Sequence, residues 1–292
     1  MQAGNTRARV LVLTLALFAA TALVAGCGSD DDDDESSEPS SLALDVSGTK
    51  DALEITAPAD AEAGPAEITF TNNTELDVDG QLIFVAEGED HSDDEVVAEL
   101  GKAVEGQPVA DWFQAAGGPG VAGKGESSTA TVDLQAGNYY FVPSTDGPPP
   151  TPLTKVTVTG ESDAELPDAD GTVSAVEYSF SGEGLKAGDQ KLLLENKGGT
   201  WHHFLASKLK PDATIEDAKA FLESEGEGGG PPPFASEENA VESTVIDGGK
   251  SMVVDATLEP GKYAFFCFVS DKQTGGPPHV VKGMVSEVEV TE

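Results

Sequence analysis

LQAGNYYF, residues 134–141, returns as LEPGKYAFF, residues 258–266. Gly137 aligns with Gly261 and Tyr139 with Tyr263. The match extends outward on both sides. AEITFTN, GQLIFVAE and LTKVTVTG accompany the first copy; QKLLLENK, WHHFLASK and GMVSEVEVTE accompany the second, in the same order. Self-similarity on this scale marks a duplicated structural unit. The segments are short, rich in Val, Ile, Thr, Phe and Tyr, alternate apolar with polar, and are bounded by turn residues. That pattern predicts β-sandwiches. The expected fold is all-β: two tandem Greek-key sandwiches.

Each copy also carries one helical insertion. Ser92 and Glu95 open SDDEVVAELGKAV, and Thr214 and Asp217 open TIEDAKAFLESE, both at capping-box spacing. Val96, Val97 and Leu100, and then Ala218, Phe221 and Leu222, form one apolar stripe each, to pack on the sandwich. GESDAELPDADG reads as a linker. The expected domains are 42–160 and 161–292.

The N-terminus reads differently. Arg7 and Arg9 precede an apolar run that ends at Gly26 and Cys27, the pattern of an export signal over residues 1–26. Val24-Ala25-Gly26-Cys27 resembles a bacterial lipobox, which implies lipid on Cys27 and an extracytoplasmic protein anchored to the cell membrane. Residues 27–41 are acidic and almost without apolar side chains, as expected of an extended tether. The chain carries 53 acidic against 16 basic residues, a formal charge of -37. Nucleic acid is disfavoured as a partner; the acidity reads either as a solvated surface or as steering toward a basic redox partner protein.

With Cys27 assigned to lipid, Cys267 is a lone thiol outside the cytoplasm. His279 and Met284 follow it, and His202 and His203 lie upstream in GTWHHFLASK. Two imidazoles, a thiolate and a thioether are the ligand types of a type 1 copper site. The thiolate binds copper in both oxidation states, the imidazoles suit Cu(II), and a weak axial sulfur favours Cu(I).

In order and strand placement, WHHFLAS, YAFFCF, PPHVVKGM and VSEVEV resemble the cupredoxins, the plastocyanin and azurin superfamily. The resemblance covers residues 165 to 292 by motif and 42 to 160 by fold. It implies one copper held by His202, Cys267, His279 and Met284, and electron transfer with His279 as the exit near the surface. Adjacent strand residues face opposite sides, so one of His202 and His203 ligates. The family pattern favours His202 because Phe204 supplies the apolar position after it. Eleven residues separate Cys267 from His279, more than in the small electron carriers; QTGGPP is expected to bulge out as a turn. The first copy, with Gly80 and Gln81 read against the histidines and Pro143 against Cys267, is expected to be metal-free.

Two other readings stand beside electron transfer: a non-redox binding or structural lipoprotein, and copper capture or delivery. An enzyme is not expected. The chain has four histidines and no His-x-His pairs for a trinuclear cluster.

Overall fold

The computed structural model describes residues 38–50, 52–86, 88–144, 153–223, 232–236 and 241–292. The signal segment, Cys27 and the tether up to residue 37 lie outside the described residues. In chain order the first half contains β1 (Ser40–Thr49), β2 (Ala52–Thr56), β3 (Asp60–Glu62), β4 (Gly64–Asn72), β5 (Val78–Ala86), α1 (Asp93–Val104), β6 (Gln114–Ala115), β7 (Gly120–Ala122), β8 (Ser127–Leu134), β9 (Gly137–Ser144) and β10 (Thr154–Thr159). The second half contains β11 (Gly171–Val176), β12 (Ser179–Glu183), β13 (Gly188–Asn196), β14 (Leu205–Lys208), α2 (Ile215–Glu223), β15 (Val241–Glu242), β16 (Ser251–Leu258), β17 (Gly261–Phe266) and β18 (Val285–Val290).

Among the described residues the strands form three sheets. One has eight strands in the order β12-β11-β13-β16-β8-β4-β1-β2 and crosses from one half to the other. The crossing is the antiparallel β16–β8 pair, in register at Met252–Val132, Val253–Thr131 and Val254–Ala130. A second sheet, β3-β10-β9-β5-β6 with β7 on β5, belongs to the first half. A third, β15-β14-β17-β18, belongs to the second. The all-β expectation holds, and β1 begins two residues before the expected domain start.

Alternation in the sequence explains how the sheets pack. β1 turns Leu42, Leu44 and Val46 inward, and β4 turns Ala66, Ile68 and Phe70 the same way. β9 answers with Phe141, whose ring lies 5.2 Å from that of Phe70. In the second half Phe180 meets Phe204 at 5.4 Å. Each fully buried side chain of this size contributes about 1.5–3 kcal/mol, and these faces merge into one core that runs through both halves.

Both helices begin as their sequences predict. The Ser92 hydroxyl accepts from the Glu95 backbone N–H, and the Glu95 carboxylate accepts from the Ser92 N–H. Thr214 and Asp217 exchange the same two bonds. Two further devices occur once in each half. The Tyr139 hydroxyl accepts from the Gln135 N–H at 2.8 Å, and the Tyr263 hydroxyl from the Glu259 N–H at 3.0 Å. Asn72 and Asn196 end β4 and β13, fully buried; Asn72 donates to the carbonyls of Leu76, Ala122 and Gly123, and Asn196 to those of Thr200 and Ile246.

Candidate metal centre

His202 lies three residues before β14. Its backbone is paired on both sides with Ile246, N–H to carbonyl at 3.0 Å and carbonyl to N–H at 2.9 Å. That pairing turns the ring into the core, where it is fully buried. His203 must then face the other way. Its Nε2 accepts from the Phe268 backbone N–H at 2.9 Å, and the side chain is only partly buried.

Cys267 follows β17 directly, and its sulfur is fully buried. Its carbonyl accepts from the Val280 N–H at 2.8 Å, and the His279 N–H donates to Val269 at 2.9 Å. These two bonds close the base of the loop and bring His279 back to the cysteine. The Met284 N–H then donates to the His279 carbonyl at 2.9 Å. Met284 is fully buried in the core cluster that contains Cys267.

Three donor atoms converge as a result. His202 Nδ1 and His279 Nδ1 are 3.1 Å apart, and Cys267 Sγ lies 3.8 Å from the first and 3.6 Å from the second. These separations suit a metal held by nitrogen bonds of about 2.0 Å and a sulfur bond of about 2.3 Å. Two nitrogens and a sulfur are the donor set that copper proteins of the blue class use. Burial pushes the His202 pKa down to about 3, with His279 and His203 adding to the effect. Burial also lowers His279, against the pull of Asp271. Both rings are therefore neutral, as ligands must be. Burial pushes the Cys267 thiol up to about 12, with backbone hydrogen bonding from His203 and Val269 opposing it. A cation must displace that proton to bind, so metal binding releases a proton at neutral pH. The residues present fit a copper ion.

The loop from Phe268 to Pro278 does form a turn, Asp271 bridging to Gly275, with Gln273, Thr274, Gly276 and Pro277 exposed. It docks on the first half. The Val109 N–H donates to the Lys272 carbonyl at 3.0 Å, and the Gly276 N–H to the Gly106 carbonyl at 2.9 Å. Gly275 sits at φ 61°, and a Cβ there would come within 2.5 Å of the Gly106 oxygen. Only glycine allows that approach. Lys272 is buried and pairs with buried Asp247 at 2.5 Å. Trp201 Nε1 donates to the Ser270 carbonyl at 2.5 Å.

The first half supports His202 as well. The Gly117 N–H donates to Val245, and the Asp247 N–H to Ala115. Gln81 grips the Val245 backbone from the side, accepting at 2.8 Å and donating at 3.1 Å. Ile246, the partner of His202, is thus fixed from behind.

The register corrects the reading of Gly80 and Gln81 as the residues that replace the histidines. Gly80 pairs with Pro143, whereas the residue across from Cys267, one step beyond the Leu205–Phe266 pair, is Phe204. The offset that carries Asn72 to Asn196 and Pro143 to Cys267 also carries Val78 to His202 and Asp79 to His203. The likeness of GQLIF to WHHF misleads because LIF and FLA are interchangeable apolar runs; pairing partners fix the frame. His279, expected near the surface, lies one layer beneath it. His279 is fully buried, with Asp271 on its Nε2 at 3.1 Å and the Tyr178 ring edge-on at 5.2 Å. Asp271, Tyr178, Lys272 and Asp247 carry no motif, and nothing in their spacing singles them out.

Among the described residues the chain is a packed set of β-sheets around a buried His-Cys-His group. No known family profile matches it, and no curated protein sequence does. Among solved structures it is similar to auracyanin A, a "blue" copper protein of Chloroflexus aurantiacus, at 16% identity and TM-score 0.31, over 42% of this chain and 100% of that one. It is similar to the auracyanin of Roseiflexus castenholzii at 17% identity and TM-score 0.26, over 41% and 95%. The copper nitrite reductase of Nitrosomonas europaea is similar at 13% identity and TM-score 0.23, over 87% and 95%. The expectation that the chain is no enzyme is corrected by these comparisons. Copper nitrite reductase and multicopper oxidases stand among the similar structures and are enzymes. A fold does not fix an activity, and a histidine count does not exclude one.

Proposed function

We propose that the protein binds one copper ion as a type 1 centre and transfers single electrons. The ligands are His202, Cys267 and His279, with Met284 as the weak fourth. The observation that carries this reading is the convergence of three fully buried donor atoms, two nitrogens and a sulfur, within 4.8 Å of one another. Copper, when bound, supplies a one-electron couple whose potential the ligands tune.

The chain's own residues do the rest. His202 is fixed by its double pairing to Ile246, and His279 by the bonds at the loop base. Little rearrangement is open to either ring. Phe204, Phe265 and Met284 are fully buried and exclude water from that side. Enclosure favours retention of the ion over exchange, which supports electron transfer above capture and delivery.

Cupric ion titrated into the purified protein is expected to give an intense sulfur-to-copper absorption band that saturates at one equivalent and is absent in Cys267→Ser. A colourless, fully folded protein after titration sinks the reading and leaves the non-redox scaffold. Rapid bleaching by a modest chelator favours delivery.

The membrane anchor belongs to the same proposal: lipid on Cys27 and an acidic tether holding the folded part on the extracytoplasmic side. Cys27→Ser is expected to release the protein from the membrane fraction. The charge of -37 supports a basic redox partner, and an association rate that falls steeply with salt is the expected signature.

A further inference from the structure

The two imidazoles of the centre are not supported alike. His202 Nε2 is buried and has no hydrogen-bond partner among the described residues. His279 Nε2 meets Asp271 Oδ1 at 3.1 Å. Asp271 is itself held. Its other oxygen forms an ion pair with Lys282 and accepts from Thr274 at 3.3 Å, and the Tyr178 hydroxyl lies 3.2 Å from both oxygens. The ion pair with Lys282 keeps the Asp271 carboxylate ionised. The Tyr178 ring packs edge-on against His279 at 5.2 Å, and Lys282 lies 5.3 Å from the centre of that ring.

An ionised carboxylate only accepts hydrogen bonds. The proton of the neutral His279 ring must therefore sit on Nε2, which leaves Nδ1 as a lone pair. That lone pair is the atom 3.1 Å from His202 Nδ1 and 3.6 Å from Cys267 Sγ. Without Asp271 the two tautomers would compete, and one of them points a hydrogen into the site. A carboxylate behind a ligating histidine fixes both tautomer and ring orientation.

We infer that Asp271, clamped by Lys282 and Tyr178, is a positioning residue that holds His279 in its metal-ready tautomer before any metal arrives. The inference deepens the copper reading and rests on it for its function. Asp271 does not touch the metal. It acts through His279, at the outer face of the centre, where the same three side chains cover the ring.

The test uses the whole protein with both halves, in two arms. The first reads nitrogen chemical shifts of His279 in the metal-free protein. Wild type is expected to show a single form protonated at Nε2. Asp271→Ala is expected to show a mixture, and Asp271→Asn, whose amide oxygen still accepts, a largely wild-type ring. Lys282→Met leaves the His279–Asp271 bond in place and is expected to keep the single form. The second arm titrates cupric ion. Asp271→Ala is expected to bind about 10- to 100-fold more weakly, with Asp271→Asn between it and wild type and with a shifted absorption band. An unchanged tautomer in Asp271→Ala, or copper affinity within twofold of wild type, overturns the inference. If Asp271→Ala does not fold, Asp271→Leu, of similar size and without an acceptor, takes its place in both arms, with the same expected mixture and the same result overturning the inference. If wild type binds no copper, the copper reading fails while the first arm still judges Asp271.

Discussion

The two halves share a scaffold and differ at the centre. Both end a strand on a buried Asn, Asn72 and Asn196, and both place a glycine of positive φ before a tyrosine that caps its own turn, Gly137 with Tyr139 and Gly261 with Tyr263. Where the second half has His202 and Cys267, the first has Val78 and Pro143. The span from Phe266 to Val285 is about twice that from Ser144 to Thr154. The scaffold therefore forms without the ligands, and the ligands are an addition to it. The first half serves the centre from outside. It holds the long loop through Gly106, Val109 and Asp111, and the strand behind His202 through Ala115, Gly117 and Gln81.

The sharpest way to break this comparison is to write the first half's residue into the second. His202→Val is expected to weaken copper binding by more than about 100-fold, since a ligand is lost rather than an outer partner. Folding is expected to survive, because Val78 occupies the equivalent position fully buried. Copper titration with far-ultraviolet circular dichroism reads both. Unfolding of the variant would show that His202 is part of the scaffold after all.

Next in size is the buried ion pair under the loop. Lys272→Met leaves Asp247 buried without its cation, at a cost of about 3–5 kcal/mol. The double variant Lys272→Met with Asp247→Leu removes both charges and is expected to recover most of that loss. Urea unfolding measures it. A single variant as stable as wild type would mean that the loop does not depend on this contact.

The sequence made the scaffold legible because its signals are local. Alternation named β4 and β18, and the Ser92–Glu95 and Thr214–Asp217 pairs named the helix starts. His202, Cys267 and His279 could be grouped because their chemical types are rare in a chain with four histidines and two cysteines. Aspartate is common here, so Asp271 was invisible: its role lies in where a turn places it. The docking of the loop was hidden for another reason. It depends on backbone carbonyls of Gly106 and Lys272 meeting backbone N–H groups, and backbone contacts leave little trace in residue identity. The wrong frame for Gly80 and Gln81 came from matching apolar runs that only strand pairing can align.

The tyrosines test the shared scaffold directly. Tyr139→Phe and Tyr263→Phe each leave a backbone N–H without its acceptor, at about 2 kcal/mol. Equal losses in thermal or urea unfolding would support one device used twice. A loss confined to Tyr263 would tie that corner to the centre.

The smallest expected effect lies at Asp79, which occupies in the first half the place of His203. It is partly buried, and its pKa is raised to about 6, first by burial and then by the charge of Glu242, with a backbone hydrogen bond from Gly80 opposing. The unfolded carboxyl titrates near its ordinary value of 3.8. The folded protein thus binds this proton more tightly than the unfolded chain, so stability falls as pH rises from about 4 to about 6 and stays lower above that. Asp79→Asn removes the ionisation. It is expected to stabilise the protein at pH 7.5 by about 1 kcal/mol, less than the full linkage because solvent reaches part of the side chain. Near pH 4 the gain should vanish, since Asp79 is then protonated in the folded state. Urea unfolding of both proteins at the two pH values separates the cases. A gain of the same size at both would assign it to packing, and a loss at pH 7.5 would mean that the ionised carboxylate, like His203 in the other half, holds a neighbouring strand in place.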